Sequence, residues 1–405
     1  MGYVVSNEKF FAPIRDVVSM VKLKVSYGLV GNDQIGGDRR FIYNETVIGG
    51  GKYYFGTTPS QYTSVRLGEF PNPNVGWEKA KKLNLGADLS FFNQLNISVD
   101  YFKENREGIF LQRKSIPMYV GLSTKPWVNI GKMRNSGIDA SLEYHQPLGK
   151  DLHLTVRGNF TYARNRIMDQ DEPDYAYTYM NHSGQMQWQK FGLVAAGLFQ
   201  DQEDIDSWAK QSFGEVKPGD IKYLDLNGDG IVDNYDTKPI GYSDIPEIVY
   251  GFGFSLQWKA FDLSAFFQGV AHVSFSTLTD QTQAFVGRNL KESSVFADLY
   301  GNTWTPENPG AKYPRMTTGA IDNNNQLSTF WMANGRYLRL KNLELGYTLP
   351  KRIANKIAMQ SLRVYLSGVN LFTFSPFKLW DPDLQTGATN YPNNRIINLG
   401  LTIGF

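Results

Sequence analysis

The sequence contains no cysteine, which excludes a disulfide framework, cysteine-ligated zinc and a thiol nucleophile. Histidine is scarce: His145, His153, His182 and His272 are scattered and form no HExxH spacing, so a catalytic zinc site is not expected. An excess of one charge is also lacking. The 41 Lys and Arg stand against 39 Asp and Glu, a formal +2 without long like-charged blocks, and no nucleic-acid partner is expected. There is no run of about 18 apolar residues, and mean hydropathy is −0.36. A transmembrane helix is therefore excluded. No GxSxG occurs, and Gly49-Gly50-Gly51-Lys52 lacks the spacing and the Ser/Thr of a phosphate loop, so it reads as a flexible loop. Residues 1–11 show neither the basic nor the apolar region of a signal peptide. The expectation is either a cytosolic chain or one whose N-terminal part has been lost.

What is present is aromatic and glycine-rich. Aromatics make up 14% of 405 residues and Gly contributes 39, as in β-rich chains whose aromatics cover an interface. Period-2 alternation dominates. In residues 151–163, Leu152, Leu154, Val156, Phe160 and Tyr162 alternate with Asp151, His153, Thr155, Arg157, Asn159 and Thr161. The same pattern predicts ten strands, with weaker ones near 40–55 and 186–199, and a turn or two of helix in 350–359.

The connections between these strands alternate between short and long. Long ones fall at 30–82, 102–137, 163–249, 268–342 and 367–396. A transmembrane β-barrel has this arrangement, with short periplasmic turns and long extracellular loops. Aromatics such as Tyr101, Phe102, Tyr162, Trp258 and Tyr347 gather near strand ends, as in interfacial girdles. The opposite face carries Lys24, Asp88, Asp100, Asp139, Glu143, Arg157 and Asp262, which suits a wet lumen. The predicted class is all-β, an antiparallel transmembrane β-barrel of 10–12 strands here. That number suits either a small barrel or part of a 22-stranded transporter.

Several segments resemble the SusC/RagA-type TonB-linked outer-membrane proteins of Bacteroidetes, in the C-terminal part of their barrel. They are residues 23–33 (LKVSYGLVGND), Pro71-Asn72-Pro73-Asn74-Val75-Gly76-Trp77-Glu78 with Asn84-Leu85-Gly86, and residues 129–139 (NIGKMRNSGID). The most specific is Pro218-Gly219-Asp220-Ile221-Lys222-Tyr223 running into Asp225-Leu226-Asn227-Gly228-Asp229-Gly230; Asp381-Pro382-Asp383 and the terminal Phe405 complete the likeness. The resemblance covers 1–405 in order. It implies about the C-terminal half of a presumed 22-stranded barrel, with plug, TonB-contacting box and signal peptide upstream. It also implies an outer-membrane, non-enzymatic importer of a large nutrient (a glycan oligomer or a peptide). Its partners would be outer-membrane lipid, a SusD-like surface lipoprotein, and TonB acting through the N-terminal part. On this reading the 405 residues alone do not transport. A complete small passive porin and a secreted, calcium-stabilised, carbohydrate-binding β-sandwich are the alternatives.

One segment has cation-ligand spacing. Asp225, Asn227, Asp229, Asp233 and Asp236 fall at loop positions 1, 3, 5, 9 and 12, Gly230 at 6, and Ile231 supplies a carbonyl at 7. Calcium is the expected ion. An Asx/Gly-rich turn that needs no metal is the competing reading, because position 12 is Asp and no amphipathic helices flank the loop. Asp169, Asp171, Glu172 and Asp174 read as a solvated acidic loop rather than a glycosidase pair. Tyr175, Tyr177, Tyr179, Trp188, Trp304 and Trp331 could stack on sugars or pack the loops.

Overall fold

The computed structural model describes residues 1–34, 41–57, 60–122, 124–279, 282, 296–317, 319–357 and 359–405; parts of the 30–82, 102–137, 268–342 and 350–359 segments lie outside the described residues. The alternating segments form one antiparallel sheet of eleven strands in which spatial order equals chain order. The strands are β1 (Gly2–Val4), β2 (Val18–Asn32), β3 (Glu78–Phe91), β4 (Leu95–Gln112), β5 (Trp127–Pro147), β6 (Leu152–Asp169), β7 (Ile248–Trp258), β8 (Phe261–Ala271), β9 (Tyr337–Thr348), β10 (Ser361–Phe374) and β11 (Ile396–Gly404).

Nearest-neighbour pairing sends successive connections to opposite ends. Segments 5–17, 92–94, 148–151, 259–260 and 349–360 close one end, and 33–77, 113–126, 170–247, 272–336 and 375–395 occupy the other. The tightest turns use left-handed backbone, at Phe92 and Asn93 (φ 53° and 54°) and at Lys259 (φ 52°). Segment 349–360 holds the expected short helix, Lys351–Ala354.

Register aligns the apolar positions into rows. Val25, Leu85, Tyr101, Ile138, Tyr162 and Ile248 form one across β2 to β7. Leu154, Leu256, Leu263, Leu345, Leu366 and Leu399 form another across β6 to β11. These rows are not covered by protein: Leu345 and Leu366 are each 50% exposed and Leu399 77%. A soluble sandwich would bury them, at about 1.5–3 kcal/mol for each side chain. The sandwich expectation therefore fails, and hydrocarbon is the environment this face matches. From Leu152 to Tyr162 the strand runs about 34 Å, or about 26 Å vertically at a barrel tilt near 40°, close to the usual apolar band.

The opposite face is polar and paired across strands. Lys24 Nζ lies 2.6 Å from Asp88 and 3.0 Å from Asp100, and Arg157 Nε lies 2.8 Å from Glu143. Arg363 bridges Asp262 and Glu344, each at 2.5 Å. Phe102 departs from the expected girdle: it pairs with Gly137, one step out of phase with Tyr101, and so belongs to this polar face.

Several strands run further than alternation predicts. β4 reaches Gln112 and β6 reaches Asp169, because beyond the apolar band both faces meet water and the period disappears. The connections are correspondingly shorter than expected. The Gly49–Gly51 run is not a loop but part of a hairpin, Val47–Phe55 with Ser60–Leu67, with a register shift between Gly49 and Lys52. Among the described residues β1 and β11 do not pair, so the sheet is open and does not close as a small porin.

Candidate functional site

The main buried core lies not on the sheet but in the connections at the long-loop end. Leu193, Leu198, Ile221, Tyr223 and Val232 from 170–247 pack with Leu299, Trp304, Tyr313 and Trp331 from 272–336. The Pro218–Tyr223 motif forms its centre. Gly219 has φ +88°, and a Cβ there would lie 2.4 Å from the Trp304 ring, so both backbone and space require glycine. Asp220 is fully buried; it accepts from Arg315 Nη2 at 3.1 Å and Asn324 Nδ2 at 2.9 Å. Asn324 Oδ1 accepts from the Ile221 N–H at 2.8 Å, and Tyr223 Oη donates to the Asn323 carbonyl at 2.9 Å. Burial pushes the Tyr223 phenol well up. These bonds join two loops about a hundred residues apart into one rigid layer above the sheet.

The last connection is fastened to the same layer from below. Arg339 of β9, 2% exposed, donates Nη1 to Asp383 at 2.7 Å, Nη2 to Asp381 at 2.5 Å and Nε to Thr373 Oγ1 at 3.0 Å. Tyr337 Oη also donates to Asp383. The Asp-Pro-Asp motif is thus an anchor for 375–395. Above it, Phe275, Phe377, Trp380 and Phe296 form an aromatic chain with centroid separations of 4.6 to 5.3 Å for successive contacts. Beside it opens a cleft of about 580 Å³ walled by Phe296, Tyr313, Phe330, Trp331 and Phe377, with Asp298 and Lys312 at its edge. Lys312 and Tyr313 hydrogen-bond the Asp298 carboxylate and hold its pKa down. The arrangement can stack planar or ring-shaped groups and offers one charge of each sign.

The expected cation ligands are brought together as a self-capped turn. Asp225 accepts from the Gly228 and Gly230 N–H groups at 2.7 and 2.8 Å, and Asp229 from Ile231 at 2.8 Å. Asn227 Oδ1 accepts from Asp229 N–H, and its Nδ2 donates to Asp229 Oδ2, both at 3.0 Å. Asp233 caps Tyr235 N–H at 2.7 Å; buried Asp236 accepts from Leu226 at 2.7 Å and Asp233 at 2.8 Å. Ile231 starts a two-residue strand beside Lys210. Among the described residues no three carboxylates or imidazoles converge as a metal-holding group, and no cationic side chain pairs with these four aspartates.

The other sequence candidates are placed plainly. Trp304 and Trp331 belong to the loop core. Tyr177 stacks on Tyr179, whose hydroxyl donates to the Tyr235 carbonyl at 2.7 Å. Trp188 is exposed, and Tyr175 lies beside His182. Asp171 is not a solvated loop residue. Burial pushes its carboxyl up, but Arg113, Ser115 and the Lys114 N–H outweigh this and hold it at about 2. Sequence reasoning missed Arg339, whose only signal is a lone arginine in an alternating strand.

With this geometry in place, known proteins show the same organisation. Residues 42–371 match the family model described as TonB dependent receptor-like, beta-barrel. The chain is 29% identical to TonB-dependent receptor P3 of Formosa agariphila over 96% of its own length and 40% of that protein. It is 26% identical to TonB-dependent receptor SusC of Bacteroides thetaiotaomicron over its full length and 39% of that protein. It therefore spans about two-fifths of these curated relatives. It also superposes on a chain of the RagAB peptide importer in the open-open state with TM-score 0.72 at 22% identity, covering 100% of this chain and 42% of that one, a likeness of fold. The chain belongs to the TonB-dependent receptor-like β-barrel family, whose barrels stand in the outer membrane.

Proposed function

We propose that this chain forms part of the wall and the outer loop layer of a TonB-dependent importer for a large nutrient, a glycan oligomer or a peptide. The single observation that carries the reading is the division of labour. An apolar-faced sheet has a paired, polar inner face, and all its core-bearing connections stand at one end. In this reading the free edges β1 and β11 pair with further strands of the kind relatives carry in their remaining length. The aromatic cleft beside Phe377 contributes to holding cargo, a SusD-like lipoprotein covers the loop layer, and TonB drives release through a plug. No covalent step is assigned to any residue. Uptake of labelled oligosaccharides and oligopeptides by cells with the gene intact or disrupted tests this. The expected result is loss of uptake on disruption, and equal loss when TonB is removed. Selective, TonB-independent flux through these 405 residues in liposomes overturns it.

We also propose that the 225–236 loop takes up calcium. Four aspartates without a cationic partner among the described residues, one of them buried, carry negative charge offset by backbone N–H groups and the Asn227 amide. The carboxylate oxygens of Asp225 and Asp229 each accept one hydrogen bond and keep a further lone pair for a hard cation.

A further inference from the structure

The outer face carries an unexplained basic ledge directly above its aromatic row. Two residues beyond Tyr101, Ile138 and Tyr162, register brings Lys103, Ser136 and Arg164 side by side; two further on stand Asn105, Arg134 and Arg166. Each step of two residues adds about 7 Å along the strand, or about 5 Å of height at a barrel tilt near 40°, so these cations stand about 5–10 Å above the tyrosines, at headgroup depth. A groove of about 290 Å³ runs between the two levels, lined by Tyr101, Tyr162, Ser136, Arg134, Arg164 and Arg166.

The charge balance of this groove is what calls for a ligand. Arg164 is neutralised by Glu247, with Nε and Nη2 on its two oxygens. Arg134 and Arg166, directly paired across β5 and β6, have no such partner among the described residues. Arg134 Nε donates to Asn105 Oδ1 at 3.0 Å and Arg166 Nη1 to the Gly184 carbonyl at 2.6 Å. Both bonds orient a guanidinium and neutralise nothing. Lys103 likewise has no ion-pair partner among the described residues. Like charges directly opposite on neighbouring strands repel, and an anion between them reverses the sign. Guanidinium forks match phosphate oxygens, while the tyrosine row below keeps acyl chains and sugar rings at the interface.

We propose that the Arg134–Arg166 ledge binds the phosphate-bearing headgroup of an outer-leaflet glycolipid, with Lys103 as a further contact and Tyr101 and Tyr162 as its floor. The site is independent of cargo and rests only on the outer face meeting membrane.

The test uses the receptor purified from its own outer membrane in detergent and exchanged free of lipid. Binding of monophosphoryl lipid A, its dephosphorylated form, phosphatidylglycerol and inorganic phosphate is measured by native mass spectrometry. The expected result is a loss of about tenfold or more in monophosphoryl lipid A binding for Arg134→Gln/Arg166→Gln. The Lys52→Gln/Arg66→Gln control, in the exposed hairpin, is expected to bind unchanged. Dephosphorylated lipid should bind the wild type as weakly as the phosphorylated form binds the double variant. Arg134→Lys/Arg166→Lys keeps the charge and loses the forks, and its intermediate binding guards against misfolding of the first variant. Equal binding by wild type and Arg134→Gln/Arg166→Gln, or by the two lipid A forms, overturns the proposal. So does equal binding of phosphatidylglycerol, or full competition by inorganic phosphate.

Discussion

Arg339 and Asp383, one on β9 and the other in the last long connection, meet at 2.7 Å with the arginine almost wholly buried. Asp381 takes the second arm of the guanidinium, and Asn393 Nδ2 reaches both carboxylates at 3.2 and 3.1 Å. One side chain on the sheet therefore fixes the position of a loop that carries Phe377 to the cleft and Trp380 onto Phe296.

Arg339→Met should release this loop. Removing one partner of a buried pair leaves uncompensated charge and costs about 3–5 kcal/mol, here against local rather than global structure. Trypsin should cut at Lys378 and Arg395 much faster than in the wild type, while the mobility of the unboiled barrel stays unchanged. Arg339→Lys should fall between, because one ammonium cannot span both aspartates. Cleavage rates equal to wild type for Arg339→Met would remove the anchor role.

Gly219→Ala tests the loop core. The substitution forces a left-handed residue into contact with Trp304 and should destabilise the layer by about 2–4 kcal/mol. Gly228 also has positive φ, but nothing lies within 4 Å of its Cβ position. Gly228→Ala should cost only about 1 kcal/mol. Near-ultraviolet dichroism of the buried tryptophans during denaturant unfolding measures both; equal effects would mean that packing against Trp304 is unimportant.

Much of the sheet was legible in the sequence, and the reason is lipid. Leu345, Leu366 and Leu399 alternate with polar residues because one face meets hydrocarbon and the other water. Where that contrast ends, as at Lys103 to Gln112, alternation ends and the strand continues unseen. β1 is only three residues long and carries no period at all. The loop core was illegible for a different reason. Ile221 and Tyr223 sit on a strand of only three residues and Leu299 on a single short turn, elements too short to set a period, and partners in this core lie about a hundred residues away. The 225–236 turn was readable as a turn, because Asx and Gly chemistry is local. The basic ledge appears only once register sets Arg134 beside Arg166.

The clamp around Asp171 sets a pH limit on the 113–115 connection. Its folded pKa of about 2 lies below the ordinary value of 3.8. The stabilisation is therefore present above about pH 4 and is lost as pH falls through about 2. Hydrogen exchange at the Lys114 and Ser115 amides, which donate to Asp171, should quicken across that window. Asp171→Asn should exchange faster at neutral pH and lose the dependence. Retention of the acid dependence in Asp171→Asn would assign it to another group.

Calcium should protect the 225–236 loop from protease in the wild type, and chelation should remove the protection. Asp229→Ala removes one expected ligand while leaving the Asp225 and Asp236 caps in place, so it should abolish the calcium effect without unfolding the layer. Equal protection with and without Asp229 would leave the segment as a turn that needs no metal.

Leu142 and Ser141 give the most direct test of which face meets lipid. They are neighbours on β5, and register carries Leu142 beside Ile97 and Ser141 beside Ser98, so they point to opposite faces. Leu142 lies well inside the apolar band, below Ile138. An arginine there meets hydrocarbon and should cost about 2–4 kcal/mol, falling toward the interfaces. Ser141→Arg meets the wet face, where Asp139 and Glu143 stand on the same side, and should cost well under 1 kcal/mol. Folding titrations of the purified receptor into lipid vesicles, read by mobility on unboiled gels, compare the two. If Ser141→Arg proved the damaging change and Leu142→Arg the silent one, inside and outside would be exchanged. The glycolipid ledge would then face the lumen, and the ion pairs of Lys24 and Arg363 would face the membrane. Their desolvation would be far costlier than exposing leucines to water, so the assignment stands on the larger of the two energies.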